Sequence, residues 1–205
     1  MTAQNILLGV SHVDEKRELR QAKTIIKYHN PVSVGLELPT DYLQRQEDGI
    51  KTLLFSELAA YLVGEGRAVI PLEDKALWDR RQAIELAKAV LEGRIKREDL
   101  EEKLYCAKKI IERTSYYTAP ELFLGLHPQI NKYQTALEIL KEAPTLLDIL
   151  PLWSQSNKQR EQKVLNRIIA SQPSMVIIGD AHAHNLMSCL SKYRYSALSE
   201  SVLSI

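Results

Sequence analysis

The sequence predicts an α/β protein: a mostly parallel sheet flanked by helices, with a helical insertion. Three observations predict it. Four short apolar runs are each about as long as a strand, rich in β-branched residues, and closed by polar residues or a breaker. Stretches of helical period separate them. The pattern then changes at about residue 78, where long charged helices replace the alternation. The 205 residues read as a single α/β domain, 1–205, with the helical insertion at about 78–154.

The first run is Ile6-Leu7-Leu8-Gly9-Val10. From Asp14 to Tyr28 a helical period puts Leu19, Ala22, Ile25 and Ile26 on one side and charges opposite, with Asp14 placed to cap the start. Pro31 leads into the second run, Val32-Ser33-Val34-Gly35-Leu36. Tyr42 to Val63 carries another apolar helical face, including Leu53, Leu54, Leu58 and Leu62, and Gly64-Glu65-Gly66 ends it. Ala68-Val69-Ile70-Pro71-Leu72 is the third run. Strand, helix, strand, helix, strand is a parallel α/β pattern, and near-continuous apolar strands suit a sheet covered on both faces. Trp78 to Arg113 is charged and helical in period, with a break near Gly93. Pro120, Pro128, Pro144 and Pro151 punctuate shorter helical pieces. Asn157 to Ala170 gives one more amphipathic helix. Pro173 then leads into Met175-Val176-Ile177-Ile178-Gly179, the last long strand, and a further strand is expected near the C-terminus.

Bulk properties exclude several functions. Lys plus Arg is 27 and Asp plus Glu is 26, so charge gives no ground to expect a nucleic-acid partner. The charged run Lys96 to Glu102 reads as a solvated helix face. Cys106 and Cys189 have neither zinc-like spacing nor the number a disulfide scaffold needs, and read as free thiols in a reducing compartment. No stretch reaches the ~18 apolar residues of a spanning helix. Met1 to Asn5 is uncharged, and the apolar run after it is too short for a signal peptide. A cytoplasmic protein with no membrane partner is the expectation.

The residues that carry chemistry lie at the strand ends. Ile6-Leu7-Leu8-Gly9-Val10-Ser11-His12 is echoed by Val176-Ile177-Ile178-Gly179-Asp180-Ala181-His182: three apolar residues, a glycine, two residues, a histidine. Glycine lets the chain leave a strand sharply and lets other groups approach its backbone. The second run leads into Glu37 and the third into Glu73 and Asp74. In a parallel sheet these C-terminal ends share one edge, where open α/β folds place their ligands. His184 lies two residues beyond His182 and is a further member of the group. Each residue also has a plain structural reading: a hydrogen-bonded histidine, a helix cap at Glu37, a helix N-terminal signal at Glu73-Asp74. Together, two imidazoles and a carboxylate, His12, His182 and Glu37, are a common ligand set for a divalent metal. A bound metal would lower the pKa of a water and polarise a carbonyl or phosphoryl oxygen. Glu37 would then be a ligand or the general base. Arg160, placed early in the helix before the final strand, is a candidate cation for oxyanion charge. Tyr116-Tyr117 reads as core or as a pocket wall. No nucleotide-binding glycine loop and no Gly-x-Ser-x-Gly elbow is present.

Gly9-Val10-Ser11-His12, Val34-Gly35-Leu36-Glu37-Leu38, Asn157-Lys158-Gln159-Arg160-Glu161 and Gly179-Asp180-Ala181-His182 resemble, in order, the pattern of the TraB family. More broadly, they resemble the superfamily joining TraB, Tiki, erythromycin-esterase-like and ChaN-like proteins. The resemblance covers the three N-terminal strands and the last helix–strand unit. It implies that His12, Glu37, Arg160 and His182 line the functional pocket of a pseudo-repeated α/β fold. It also implies a divalent metal, manganese or cobalt, as in the protease-like branch. Tiki proteins are metal-dependent proteases, erythromycin esterases open a lactone, and ChaN-like proteins bind haem. The chain departs from the family's pattern in three places. Val10 stands where threonine is usual, Tyr42 stands where an arginine is frequent with Arg45 nearest, and Arg80 or Arg81 is left to supply the arginine after the third strand. The expected function is a metal-dependent hydrolase-like activity on a peptide or ester bond of a peptide or small-molecule substrate. The alternatives are a non-catalytic module binding haem or another small ligand through His12, His182 or His184, and a scaffold whose insertion mediates assembly, for instance as a homodimer.

Overall fold

The computed structural model describes residues 5–11, 13–40, 53–114 and 120–198, apart from the side chains at 53 and 120–124. Among these residues the order is β1 (Asn5–Val10), α1 (Glu15–His29), β2 (Ser33–Pro39), α2 (Leu53–Gly64), β3 (Ala68–Glu73), α3 (Lys75–Leu91), α4 (Arg97–Arg113), α5 (Pro120–Glu142), α6 (Leu146–Ser171), β4 (Met175–Gly179), α7 (Asp180–Leu190) and β5 (Tyr195–Ala197). The strands form one five-stranded, all-parallel sheet in the order β3-β2-β4-β1-β5. The fold is α/β, and the C-terminal strand is present as β5. The chain divides into two compact units: Met1–Tyr42, Ile50–Asp74 and Glu161–Ile205 make the first, Leu43–Gly49 and Lys75–Arg160 the second.

The first unit holds the sheet. Side chains alternate along a strand, so neighbouring apolar residues serve opposite faces. Leu8, Val10, Val34, Leu36, Met175 and Ile177 pack with Leu19, Ile25 and Ile26 of α1 and Leu54, Phe55, Leu58 and Leu62 of α2. Leu7, Val176 and Ile178 pack with Val164 and Ile168 of α6 and Leu186 and Leu190 of α7. Covering both faces is why the strands read as continuous apolar runs. Helix α1 buries the four residues its period predicts, Leu19, Ala22, Ile25 and Ile26. It starts where Asp14 accepts the N–H of Arg17 at 3.0 Å and stops at Asn30, whose φ is 48°. Tyr195 of β5 is buried, and its hydroxyl donates to the Pro173 carbonyl at 2.6 Å. Burial pushes this phenol up to about 12, so it stays a donor.

The second unit is helical. Ala83, Ile84 and Ala87 of α3, Leu100 of α4, and Ala136, Ile139 and Leu140 of α5 form its core with Ile149 of α6. The break between α3 and α4 falls at Gly93, whose φ is 70°. Lys96 to Asp99, Glu101 and Glu102 are exposed and Leu100 is buried, so the charged run is a solvated face. The helices here run on past prolines expected to divide them. Helix α5 has 23 residues with Pro128 inside, and α6 has 26 with Pro151 inside. An internal proline removes one backbone bond and crowds the carbonyl four residues back, at about 3 kcal/mol. Burial of Ile130, Ala136, Ile139 and Leu140 on α5, and of Ile149, Val164 and Ile168 on α6, outweighs that cost. Pro120 opens α5 and Pro144 lies between α5 and α6, positions that cost a helix little. Because α6 begins at Leu146 and not near Asn157, Arg160 lies in mid-helix.

Tyr42, Arg45 and the Tyr116-Tyr117 pair lie outside the described residues. Cys106 is exposed, Cys189 is partly buried, and both are free thiols. No helix among the described residues is long and apolar enough to cross a membrane.

Candidate functional site

The two echoed strands are neighbours. β1 and β4 pair in parallel from Ile6↔Met175 to Val10↔Gly179. The register offsets the echo by one residue, so Gly9 stands opposite Ile178 and not opposite Gly179. Gly9 is needed for close approach. A Cβ there would lie 2.6 Å from Asp180 Oδ1 and 3.1 Å from Asp180 Cα, because the first residue of α7 rests on β1. Gly179 has φ −54° and ψ 139°, values open to any residue, and sits at the N-cap of α7 without a side-chain capping bond.

The exit of β4 is organised from β2. Pairing of β2 with β3 slips between Leu36↔Pro71 and Pro39↔Glu73, so three steps on β2 match two on β3. This bulge falls at Glu37 and Leu38 and re-aims the strand end. The Glu37 side chain is 8% exposed, and its Oε2 accepts the backbone N–H of Gly179. Three residues later, in the first turn of α7, His182 Nδ1 lies 2.9 Å from Glu161 Oε1. Asn185, on the same face of α7, donates from Nδ2 to that same oxygen at 2.8 Å. Glu161 carries no local signal of this role. It pairs with a residue 21 positions away, and only the packing of α6 beside α7 in the first unit brings them together.

The exit of β1 is organised from its own following helix. Glu18 Oε1 accepts from the Ser11 hydroxyl and from the Val13 N–H at 3.2 Å. His12 lies outside the described residues; the residues on either side of it are both bonded to Glu18. Next to this exit is a cleft of about 350 Å³. Glu18, Gln21 and Ala22 of α1 line one wall, and Asp180, His184 and Met187 of α7 the other.

Comparison of the chain with family models, with curated proteins and with solved structures finds no match.

The remaining candidates divide between the units. Glu73, 1% exposed, ends β3. That end is pinned by Arg167, which donates to the backbone carbonyls of Pro71 at 3.2 Å and of Glu73 at 2.9 Å. Arg160 belongs to the second unit, is 2% exposed, and holds its guanidinium 5.8 Å from the Trp78 ring centroid. Arg80 is exposed and Arg81 half-buried in the same unit. The first unit thus brings Glu37 and His182 to one strand exit, adds Glu161, and turns His184 into the cleft on another face of α7. No group of three or more His, Cys, Asp or Glu among the described residues is disposed to hold a metal ion. What the described groups can do is specific. An imidazole with a carboxylate at Nδ1 can take up a proton or bind a cation at its other nitrogen. The Glu37 carboxylate holds a backbone donor through one oxygen.

Proposed function

We propose that this chain is a TraB-like, metal-dependent hydrolase acting on a peptide or ester bond. The observation that carries the reading is at the exit of β4, where Glu37 holds the N–H of Gly179 and His182 follows three residues on, in the first turn of α7. The donor types suit a divalent metal such as manganese or cobalt. His182 has a carboxylate on Nδ1, which is the form in which histidines ligate metals. Glu37 is a nearly buried carboxylate, and His12 is the third member of the set. A bound metal would supply a water ionised near neutral pH. The chain's own groups divide the remaining work. His182 would bind the metal through Nε2. Glu37 holds the strand exit through Oε2 and would contribute its carboxylate as ligand or base.

The test is calorimetric titration of metal-stripped protein with manganese, cobalt and zinc, beside the His12→Ala/His182→Ala variant. Stoichiometric binding by the wild type, lost in the variant, is expected, together with hydrolysis of peptide or ester substrates that depends on the same metal. A wild type that binds none of the three sinks the reading. A second reading, a non-catalytic small-ligand module, draws on the cleft lined by His184. At about 350 Å³ it is at the small end of ligand pockets. Haemin titration followed by absorbance, with His184→Ala as control, separates the two.

A further inference from the structure

We infer that Glu161, braced by Asn185, is the positioning residue of His182: it fixes the imidazole as the Nδ1–H tautomer and makes Nε2 the nitrogen that works. This rests on the reading of His182 as a functional group, and its test is chosen to stand apart from that reading.

The argument starts from what each group can donate. A carboxylate has no proton to give, so the 2.9 Å contact between Glu161 Oε1 and His182 Nδ1 requires the proton on the ring nitrogen. The lone pair of the neutral ring is then on Nε2. Asn185 donates to the same oxygen at 2.8 Å. His182 and Asn185 are three residues apart on α7, so one helical face presents both donors to a single acceptor. Two donors from a rigid helix fix the position of the carboxylate oxygen, and the oxygen in turn fixes the ring. The side chains of His182 and Glu161 are 18% and 22% exposed. Water therefore competes only weakly for the pair, and the hydrogen bond is worth more than it would be on an open surface. The partners also lie on rigid elements: α6 is anchored near Glu161 by buried Val164 and Ile168, and α7 by buried Ala183, Leu186 and Leu190. Preorganisation of this kind is what a ligating or proton-handling histidine needs, and loss of such a partner costs roughly 10–100-fold in metal affinity or activity.

The experiment reads the ring directly. Long-range ¹H–¹⁵N correlation spectra of the full chain are recorded at alkaline pH, with His182 assigned from the His182→Gln spectrum. The wild type should show a protonated Nδ1 and an unprotonated Nε2. Glu161→Ala should move His182 towards the Nε2–H form that an unrestrained imidazole prefers. Glu161→Gln keeps a carbonyl acceptor and should keep the wild-type tautomer. Asn185→Ala should give an intermediate shift. Manganese affinity and turnover should fall roughly 10–100-fold in Glu161→Ala and recover in part in Glu161→Gln. An unchanged tautomer in a folded Glu161→Ala overturns the inference, as does an Nε2–H ring in the wild type. A tautomer that moves as expected in a protein that binds no metal and hydrolyses nothing upholds the positioning role and removes the hydrolase reading instead.

Discussion

The exits of β1 and β4 begin from nearly the same residues and are built differently. Each strand ends in an apolar run and a glycine, with a histidine three residues after the glycine. After β4 the helix starts at once: Gly179 is the N-cap of α7 and His182 is in its first turn. After β1 the helix waits for Asp14, and α1 begins at Glu15. The cause is where each exit finds its hydrogen-bond partners. At β1 the acceptors are local, since Glu18 takes the Ser11 hydroxyl and the Val13 N–H and Asp14 caps Arg17. At β4 they are remote, since Glu37 of β2 takes the Gly179 N–H and Glu161 of α6 takes His182. An echoed motif sets where a strand stops. The chain around it decides where the next helix starts.

The sharpest way to break the comparison is Glu37→Ala, which should damage the β4 exit. It leaves a buried backbone N–H without its acceptor, and a loss of about 1–3 kcal/mol is expected in urea denaturation. Glu37→Gln retains an acceptor and should restore most of it. If the two variants lose equally, the charge and not the hydrogen bond is what β4 needs. Gly9→Ala tests the point at which the exits touch. Its new methyl meets Asp180 Oδ1 at 2.6 Å and Asp180 Cα at 3.1 Å, and overpacking of this order costs about 1–3 kcal/mol. The carboxylate can swing away and the backbone cannot. Adding Asp180→Ala should therefore recover part of the loss, and strict additivity would show that the carboxylate is not in the way.

Much of the sheet was legible because its signals are local. Continuous apolar runs marked β1 to β4, and a single 3.6-residue period named all four residues that α1 buries. The helical region was less legible. Pro128 and Pro151 are local helix breakers, and what overrides them is packing with residues far along the chain. The site divides in the same way. Glu37 and His182 were visible because strand ends are visible, and the structure brings both to the exit of β4. Glu161 was not, although it directly follows Arg160, because nothing in its own neighbourhood points to a histidine on another helix. Arg160 was expected near the start of a helix; it is a buried residue in the middle of one, beside Trp78, in the second unit.

The smallest effect sharpens the comparison from the β1 side. Asp14→Ala removes the side-chain cap of α1, the bond from Arg17 N at 3.0 Å. Caps of this kind are worth about 1 kcal/mol. Glu18 still holds the Val13 N–H and the Ser11 hydroxyl in this variant, so the chain on either side of His12 keeps its ties. The helix should fray at its first turn, seen as faster amide exchange near Arg17, while the imidazole signals of His182 stay where they were. Movement of those signals would mean that the two exits are coupled through the close approach at Gly9, and that the local and remote designs form one cooperative structure.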